Sequence, residues 1–261
     1  MNKKNSLNSI EKAIKVLLKF QKSGATHGIR ELSYELGFSP ATVQRILKTL
    51  KDHDFVRQDS VTRQYYIGNI FYSFIQALHR SNSLTSIARQ FMEELATRTK
   101  ETSHINIVEE KHRLCIDTIE SPQTLKAGMP MGHRSPLYAG ASAKCLLAFL
   151  STEEIENYIE TTEIEPLTDN TINNTKDLKK ELVKIKNQGF AKSLGERTPG
   201  LGSLSAPVFD NQGCVVASLS LAIPEIRFSQ NEYLDECINI LTNVADSFSK
   251  NMGYTIGGLN N

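Results

Sequence analysis

The sequence predicts an α+β protein, a small winged helical module followed by a larger domain built on an antiparallel sheet. Three observations carry this reading. Residues 28–50 hold two short helical runs split at Gly37. Two β-prone runs with a polar turn follow at once, and farther on, strand-like pairs alternate with amphipathic segments. At 261 residues the chain fits two domains.

Taken in order, Asn8 with Glu11 three residues later reads as a capping box, and Ile10, Ala13, Ile14, Leu17 and Leu18 mark one face of a first helix that Ser23-Gly24 ends. Ile29, Leu32 and Leu36 then recur at helical spacing. Gly37 offers the left-handed conformation that stops a helix, and Ser39-Pro40 supplies an N-cap and a proline at the first helical position. In the new helix Val43, Ile46, Leu47 and Leu50 form the packing stripe, which leaves Ala41, Gln44, Arg45 and Lys48 together on the other side. Small, amide and cationic side chains on a free helix face suit base edges and phosphates in a major groove. Phe55 to Gln58 and Arg63 to Gly68 read as a hairpin around Asp59-Ser60-Val61-Thr62, a wing carrying Arg57 and Arg63 toward backbone phosphates. The candidate DNA-contacting set is therefore Ser39, Ala41, Thr42, Gln44, Arg45, Lys48, Arg57 and Arg63, on double-stranded DNA.

These elements fill residues 1–68. A connecting helix over 69–83 carries Phe71, Phe74, Ile75 and Leu78 on one face before Ser81-Asn82-Ser83 interrupts it. Such a stripe seeks either its own wing or a second chain. The domain over 84–261 begins with a helix through Leu84, Ile87, Ala88, Phe91 and Leu95. Strands are expected at Ser103–Val108 and Leu114–Thr118, with Glu109 to Arg113 as a polar hairpin tip. An extended run at Leu125–Ala127 precedes a loop from Gly128 to Pro136. Helices follow over Ala141–Leu150, Thr152–Glu160 and Lys176–Gln188. Strands at Phe190–Leu194, Leu204–Phe209 and Cys214–Ile223 come next, the last two joined by Asp210-Asn211-Gln212-Gly213, and a helix closes the chain from Gln230 to Lys250.

Charge divides along the same boundary. Residues 1–68 hold 12 Lys/Arg against 6 Asp/Glu, and the remainder 18 against 23, so the basic excess lies on the winged module. Cys115, Cys145, Cys214 and Cys237 show neither zinc spacing nor a disulfide framework, and no cofactor or metal site is read. Cys145 with His133 or His104 matches no cysteine-hydrolase pattern, so no catalytic residue is assigned. No apolar run reaches membrane-spanning length and Met1-Asn2-Lys3-Lys4 opens no signal peptide, which points to a cytoplasmic protein.

Two further segments add a resemblance. Pro136-Leu137-Tyr138-Ala139-Gly140-Ala141-Ser142-Ala143-Lys144-Cys145-Leu146-Leu147-Ala148 and Leu201-Gly202-Ser203-Leu204-Ser205-Ala206-Pro207-Val208-Phe209, collinear behind a winged helix, resemble the IclR family of bacterial transcriptional regulators over nearly the whole chain. The resemblance implies a GAF/PAS-like effector domain, a small organic effector, and homodimers or homotetramers on operator DNA, and the chain is expected to act as a repressor. It further implies a ligand cup at Ala141 and Ser142 with Ser193, Ser203 and Ser220 on facing strands, walled by Ala127, Met129 and Leu201. A helix N-terminus there favours a carboxylate. The chain departs from that family's pattern at Ser193 and Ser203, where oxo-acid binders carry an acid or cysteine, and at Ala222-Ile223-Pro224, where Ser-Gly-Pro is usual.

Overall fold

The computed structural model describes residues 8–21, 24–81 and 83–255, and all side chains of these except 78–81 and 83. Met1 to Lys4, Ser23, Asn82 and the Leu78 side chain, each part of the sequence reading, lie outside the described residues. The chain divides into two compact units, Met1–Asn82 and Ser83–Asn261.

In the first unit α1 (Ser9–Leu18) begins with the expected capping box, Asn8 Oδ1 accepting from Glu11 N at 2.8 Å and Glu11 Oε2 from Asn8 N at 2.7 Å. Its packing face overlaps the expected one only at Ala13 and Leu17, which pack against the core. Val16, with Phe20 in the turn that follows, enters the core, whereas Ile10, Ile14 and Leu18 remain 70%, 51% and 50% exposed. α2 (Ile29–Leu36) ends at Gly37 with φ of 66°, and α3 (Pro40–Asp52) starts under the Ser39 cap, whose hydroxyl accepts from Thr42 N at 3.3 Å. Leu32, Val43, Ile46, Leu47, Val56 and Tyr65 close the core between them. β1 (Val56–Gln58) pairs antiparallel with β2 (Tyr65–Ile67), and the Asp59 carboxylate holds the wing tip by accepting from the amides of Val61 and Thr62 at 2.9 and 2.6 Å. α4 (Ile70–Ser81) leaves the wing with Phe71 and Phe74 resting on Phe55, at ring separations of 5.7 and 6.2 Å. Gly68, where β2 hands over to α4, lies flat against the Asp54–Phe55 peptide and donates to Phe55 O at 2.8 Å.

The second unit opens with α5 (Ser83–Thr99) and the hairpin β3 (Thr102–Glu109) and β4 (His112–Ile119). After α6 (Ala141–Phe149), α7 (Thr152–Thr161) and α8 (Thr175–Gln188) come β6 (Ala191–Leu194), β7 (Leu201–Phe209) and β8 (Val215–Pro224), and α10 (Asn231–Asn251) closes the domain. Three details depart from the sequence reading. β7 starts three residues earlier than expected. Arg134–Pro136, inside the expected loop, forms β5 by pairing with β4, while Leu125–Ala127 forms no strand: Leu125 is exposed, and its carbonyl accepts from Arg227 NH2 at 3.0 Å. A short helix, α9 (Glu225–Phe228), was not foreseen. Local periodicity is blind to both, since β5 exists through its partner strand and α9 spans a single turn.

The sheet is antiparallel throughout, in the order β5-β4-β3-β8-β7-β6, with a register shift at Ile105/Asn106. Strand alternation sorts its two faces. Ile105, Leu204, Ala206, Ala217, Leu219, Leu221 and Ile223 pack on α5 and α10, where Phe91 and Phe248 stack at 4.7 Å. The opposite face of β8 presents Ser218, Ser220 and Ala222 toward α6, and Ser218 Oγ donates to Ser142 O at 3.2 Å. That face is buried too, so it is polar without being wet.

Candidate DNA interface and effector cleft

The free side of α3 carries Ala41, Gln44, Arg45 and Lys48, all exposed, with Thr42 half-buried beside the exposed Ser39. No ion pair is found for Arg45, Lys48 or Arg63 among the described residues, so these cations remain available. Arg57 differs: its Nε donates to Asp54 Oδ1 at 3.0 Å, which partly neutralises it and leaves Arg63 as the freer cation of the wing. Arg63 takes a left-handed φ of 61°, and its carbonyl accepts from Gln58 Nε2 at 2.9 Å. The sequence reading passed over Tyr34 on α2 and Val61 at the wing tip, 91% and 87% exposed. The sequence offers no signal for them, since the exposure of a bulky side chain shows only in the folded unit. His27, Glu31 and Glu35 also bring ligand-type atoms within 4.8 Å of one another, but His27 is bonded to Glu31 and Glu35 to Lys19.

In the second unit a cleft of about 50 Å³ opens at the N-terminus of α6. Met129, Ala141, Ser142, Ser193, Leu201 and Ser203 line it, along with Gly140, Glu196, Arg197 and Ala222. Two residues of the expected cup do not line it. Ala127 is sealed one residue ahead of Gly128, and Ser220 lies deeper on the same sheet face, where its hydroxyl is bonded to Ser205 Oγ at 2.8 Å and Asn106 Nδ2 at 3.2 Å. The helix N-terminus is also less open than the sequence suggested. Ala141 N donates to Ser193 Oγ at 3.0 Å and Gly140 N to Glu196 Oε2 at 2.8 Å. Glu196 is fixed in turn by the buried ammonium of Lys144 at 2.6 Å, which also reaches Glu181 at 3.0 Å. The Ser142 and Ala143 amides find no protein acceptor among the described residues, and Ser203 Oγ, sealed from solvent, has no partner.

Behind the cleft the polar sheet face continues through Asn106 to His104, Arg113 and Cys115. Arg113 was expected in a polar hairpin tip, yet only Glu110 and Lys111 separate the strands and Arg113 is fully buried. Burial, with Arg113 nearby, brings His104 down to about 3, so its imidazole is neutral, and its Nε2 has no partner. Burial likewise raises the Cys145 thiol to about 12 and Cys115 to about 11, which leaves both protonated rather than nucleophilic.

Comparison with known proteins agrees with this arrangement. The IclR helix-turn-helix domain model matches residues 9–60 and the bacterial transcriptional regulator IclR C-terminal model residues 75–250. The chain is 35% identical over 228 residues to the HTH-type transcriptional regulator KdgR of Escherichia coli K12, spanning 87% of this chain and 86% of that one. Over 228 residues it is 28% identical to the HTH-type transcriptional repressor AllR of the same strain, 87% of this chain and 84% of that one. An IclR homologue from Microbacterium hydrocarbonoxydans, solved in complex with 4-hydroxybenzoate, shares the fold with a TM-score of 0.80 at 16% identity, covering 94% of this chain and 99% of its own. No described helix is long and apolar enough to cross a membrane. A basic winged helix-turn-helix, a sensor-type α+β unit and matches to both domain models lead to one conclusion: the chain belongs to the IclR family of bacterial transcriptional regulators.

Proposed function

We propose that this regulator is a cytoplasmic repressor that holds operator DNA through α3 and the wing and answers to a small organic acid in the α6 cleft. The observation that carries the DNA part is the juxtaposition in one unit of the unpaired cations Arg45 and Lys48 on α3 and Arg63 on the wing. Repression is supported by the likeness to AllR, a protein named as a repressor, and an acid effector by the unpaired Ser142 and Ala143 amides together with a homologue that holds a hydroxybenzoate.

The proposal is tested by fluorescence anisotropy on DNA from upstream of the regulator's own gene and its neighbours. Arg45→Ala is expected to cost about 1 to 3 kcal/mol and to relax base preference at one position, as for a guanine-reading arginine. Arg63→Ala is expected to weaken every sequence alike and to make the salt dependence shallower, the signature of a lost phosphate contact. Wild-type binding by both variants across a salt series would move the interface elsewhere.

A single winged module covers few base pairs, so a symmetric homodimer, or a homotetramer built from two, is the expected operator-bound form. The sequence pointed to the α4 stripe as the contact. In the structure Phe71 and Phe74 of that stripe rest on Phe55, yet Phe74 and Ile75 stay 50% and 37% exposed, and α1 adds a second exposed apolar row, Ile10, Ile14 and Leu18. Ile14→Glu is therefore expected to lower the mass measured by light scattering while the melting of the protein stays near wild type. An unchanged mass would exclude α1 from the interface.

A further inference from the structure

Among the described residues, two arginines at the inner end of the cleft have no carboxylate partner. Arg113, fully buried, donates from Nε to Ser135 Oγ at 3.0 Å and from NH1 to Asn106 Oδ1 at 3.2 Å, Met129 Sδ at 3.4 Å and His133 O at 3.4 Å, while its NH2 lies 3.3 Å from His133 Nδ1. Every partner is neutral. Arg197, half-buried on the cleft wall, donates from NH1 to the same Ser135 Oγ at 3.4 Å. Two like charges thus share one hydroxyl, which accepts from both and neutralises neither. The nearby acids are committed: Glu196 to Lys144 and Gly140 N, Glu109 to Arg134, and Asp117 to Arg89. Burying an unpaired charge is costly unless something compensates it, and each arginine is held below its ordinary pKa by burial, Arg113 further by Arg197 itself.

Met129 connects this pair to the cleft, since it lines the cleft and its sulfur touches Arg113. His104 lies on the same sheet face. His104 Nδ1 lies 3.2 Å from Asn106 Oδ1 and 3.1 Å from Asn106 Nδ2, and Arg113 NH1 donates to the same Oδ1. The His104 Nε2, sealed from solvent, has no partner among the described residues. The unmet groups therefore fall at two ends. The outer end offers the Ser142 and Ala143 amides and Ser203 Oγ, and the inner end offers two guanidiniums.

We infer that the effector is a short dianion, with one anionic group at the α6 N-terminus and a second between Arg113 and Arg197. This rests on the reading that the cleft takes an organic acid, and it adds the charge and the residues that select it. A dicarboxylate and a phosphorylated acid share this chemistry. A ligand of one charge could answer the α6 N-terminus or the arginine pair, but not both.

The test titrates the full-length chain, by calorimetry and thermal shift, with dicarboxylates from malonate to adipate, with the monoamide of each, and with inorganic phosphate and 3-phosphoglycerate. At least one dianion is expected to raise the melting temperature and to bind about tenfold or more tighter than its singly charged counterpart. A preference for 3-phosphoglycerate over every dicarboxylate would identify the inner group as a phosphate; the reverse would identify it as a carboxylate. Arg197→Met, at a half-exposed position where folding is expected to survive, should abolish that preference for the second charge, and Arg113→Met should do the same if gel filtration shows it folded. Equal binding of acid and monoamide, no binding of any dianion, or a preference that survives in Arg197→Met would each overturn the inference. Two controls separate it from the proposal it rests on. Ligand binding that is weakened by Ser203→Ala but indifferent to Arg197→Met would keep the cleft and discard the arginine pair, and operator binding by the ligand-free wild type reports on the DNA-binding reading alone.

Discussion

Replacing Lys144 with alanine is expected to cost the effector unit about 3 to 5 kcal/mol, the range for breaking a buried ion pair by removing one partner. The Lys144 side chain is 1% exposed, and its ammonium is the cation for both Glu196 and Glu181. Without it, Glu196 would be a carboxylate sealed beside α6 with a second acid close by. Glu196 would still accept from Gly140 N, but holding that bond would then require either an uncompensated charge or a proton. Urea denaturation followed by the far-ultraviolet signal gives the loss directly. Pairing Lys144→Met with Glu196→Gln should recover part of it, because the double variant leaves a smaller unmatched charge, and the excess over additivity measures the coupling. Equal midpoints for wild type and Lys144→Ala would mean that the ion cluster contributes nothing to the fold.

The second large effect is expected in the other unit. A Cβ at Gly68 would lie 1.8 Å from Asp54 O and 2.6 Å from Asp54 C, both backbone atoms that no rotamer change can clear. Gly68→Ala must therefore push apart the end of the wing and the turn where α3 hands over to β1. Overpacking of this kind costs about 1 to 3 kcal/mol or more. The expected result is loss of specific operator binding beyond that of Arg45→Ala, with the effector unit melting as before. A variant that binds operator normally would show that the wing does not need this close backbone approach.

The winged module was legible in the sequence because its signals are local. The cap at Ser39, the stop at Gly37 and the stripe Val43, Ile46, Leu47 each depend on neighbours within one or two turns. The alternating strands of the sheet were legible for the same reason, within a few residues at their ends. What stayed hidden depends on partners distant in the chain. Arg113 read as part of a polar hairpin tip and Lys144 drew no reading of its own, since sequence patterning assigns lysine and arginine to solvent, and only the folded sheet shows Arg113 beside Ser135 and Lys144 beside Glu196. Ser193, Ser203 and Ser220 were grouped by resemblance. Strand register separates them: Ser203 opposes Ala222 at the cleft, while Ser220 opposes Ser205 and His104 deeper in. On α1 the helical period was correct and the face was turned: Ala13 and Leu17 pack on the core, while Ile10, Ile14 and Leu18 stay exposed, because an amphipathic stripe does not say how much of it meets its own core.

The strand order also sets a timetable. β3 and β8 are neighbours at the middle of the sheet, although Asn106 and Ser218 are 112 positions apart along the chain. During synthesis the winged unit is complete and free to fold long before the sheet can close, and β3 waits with one edge unpaired until the last strand, β8, leaves the ribosome. A chain cut short between β3 and β8 would release a finished DNA-binding module joined to an open, adhesive strand edge, the kind of product that aggregates or is degraded rather than one that lingers on DNA out of reach of its signal.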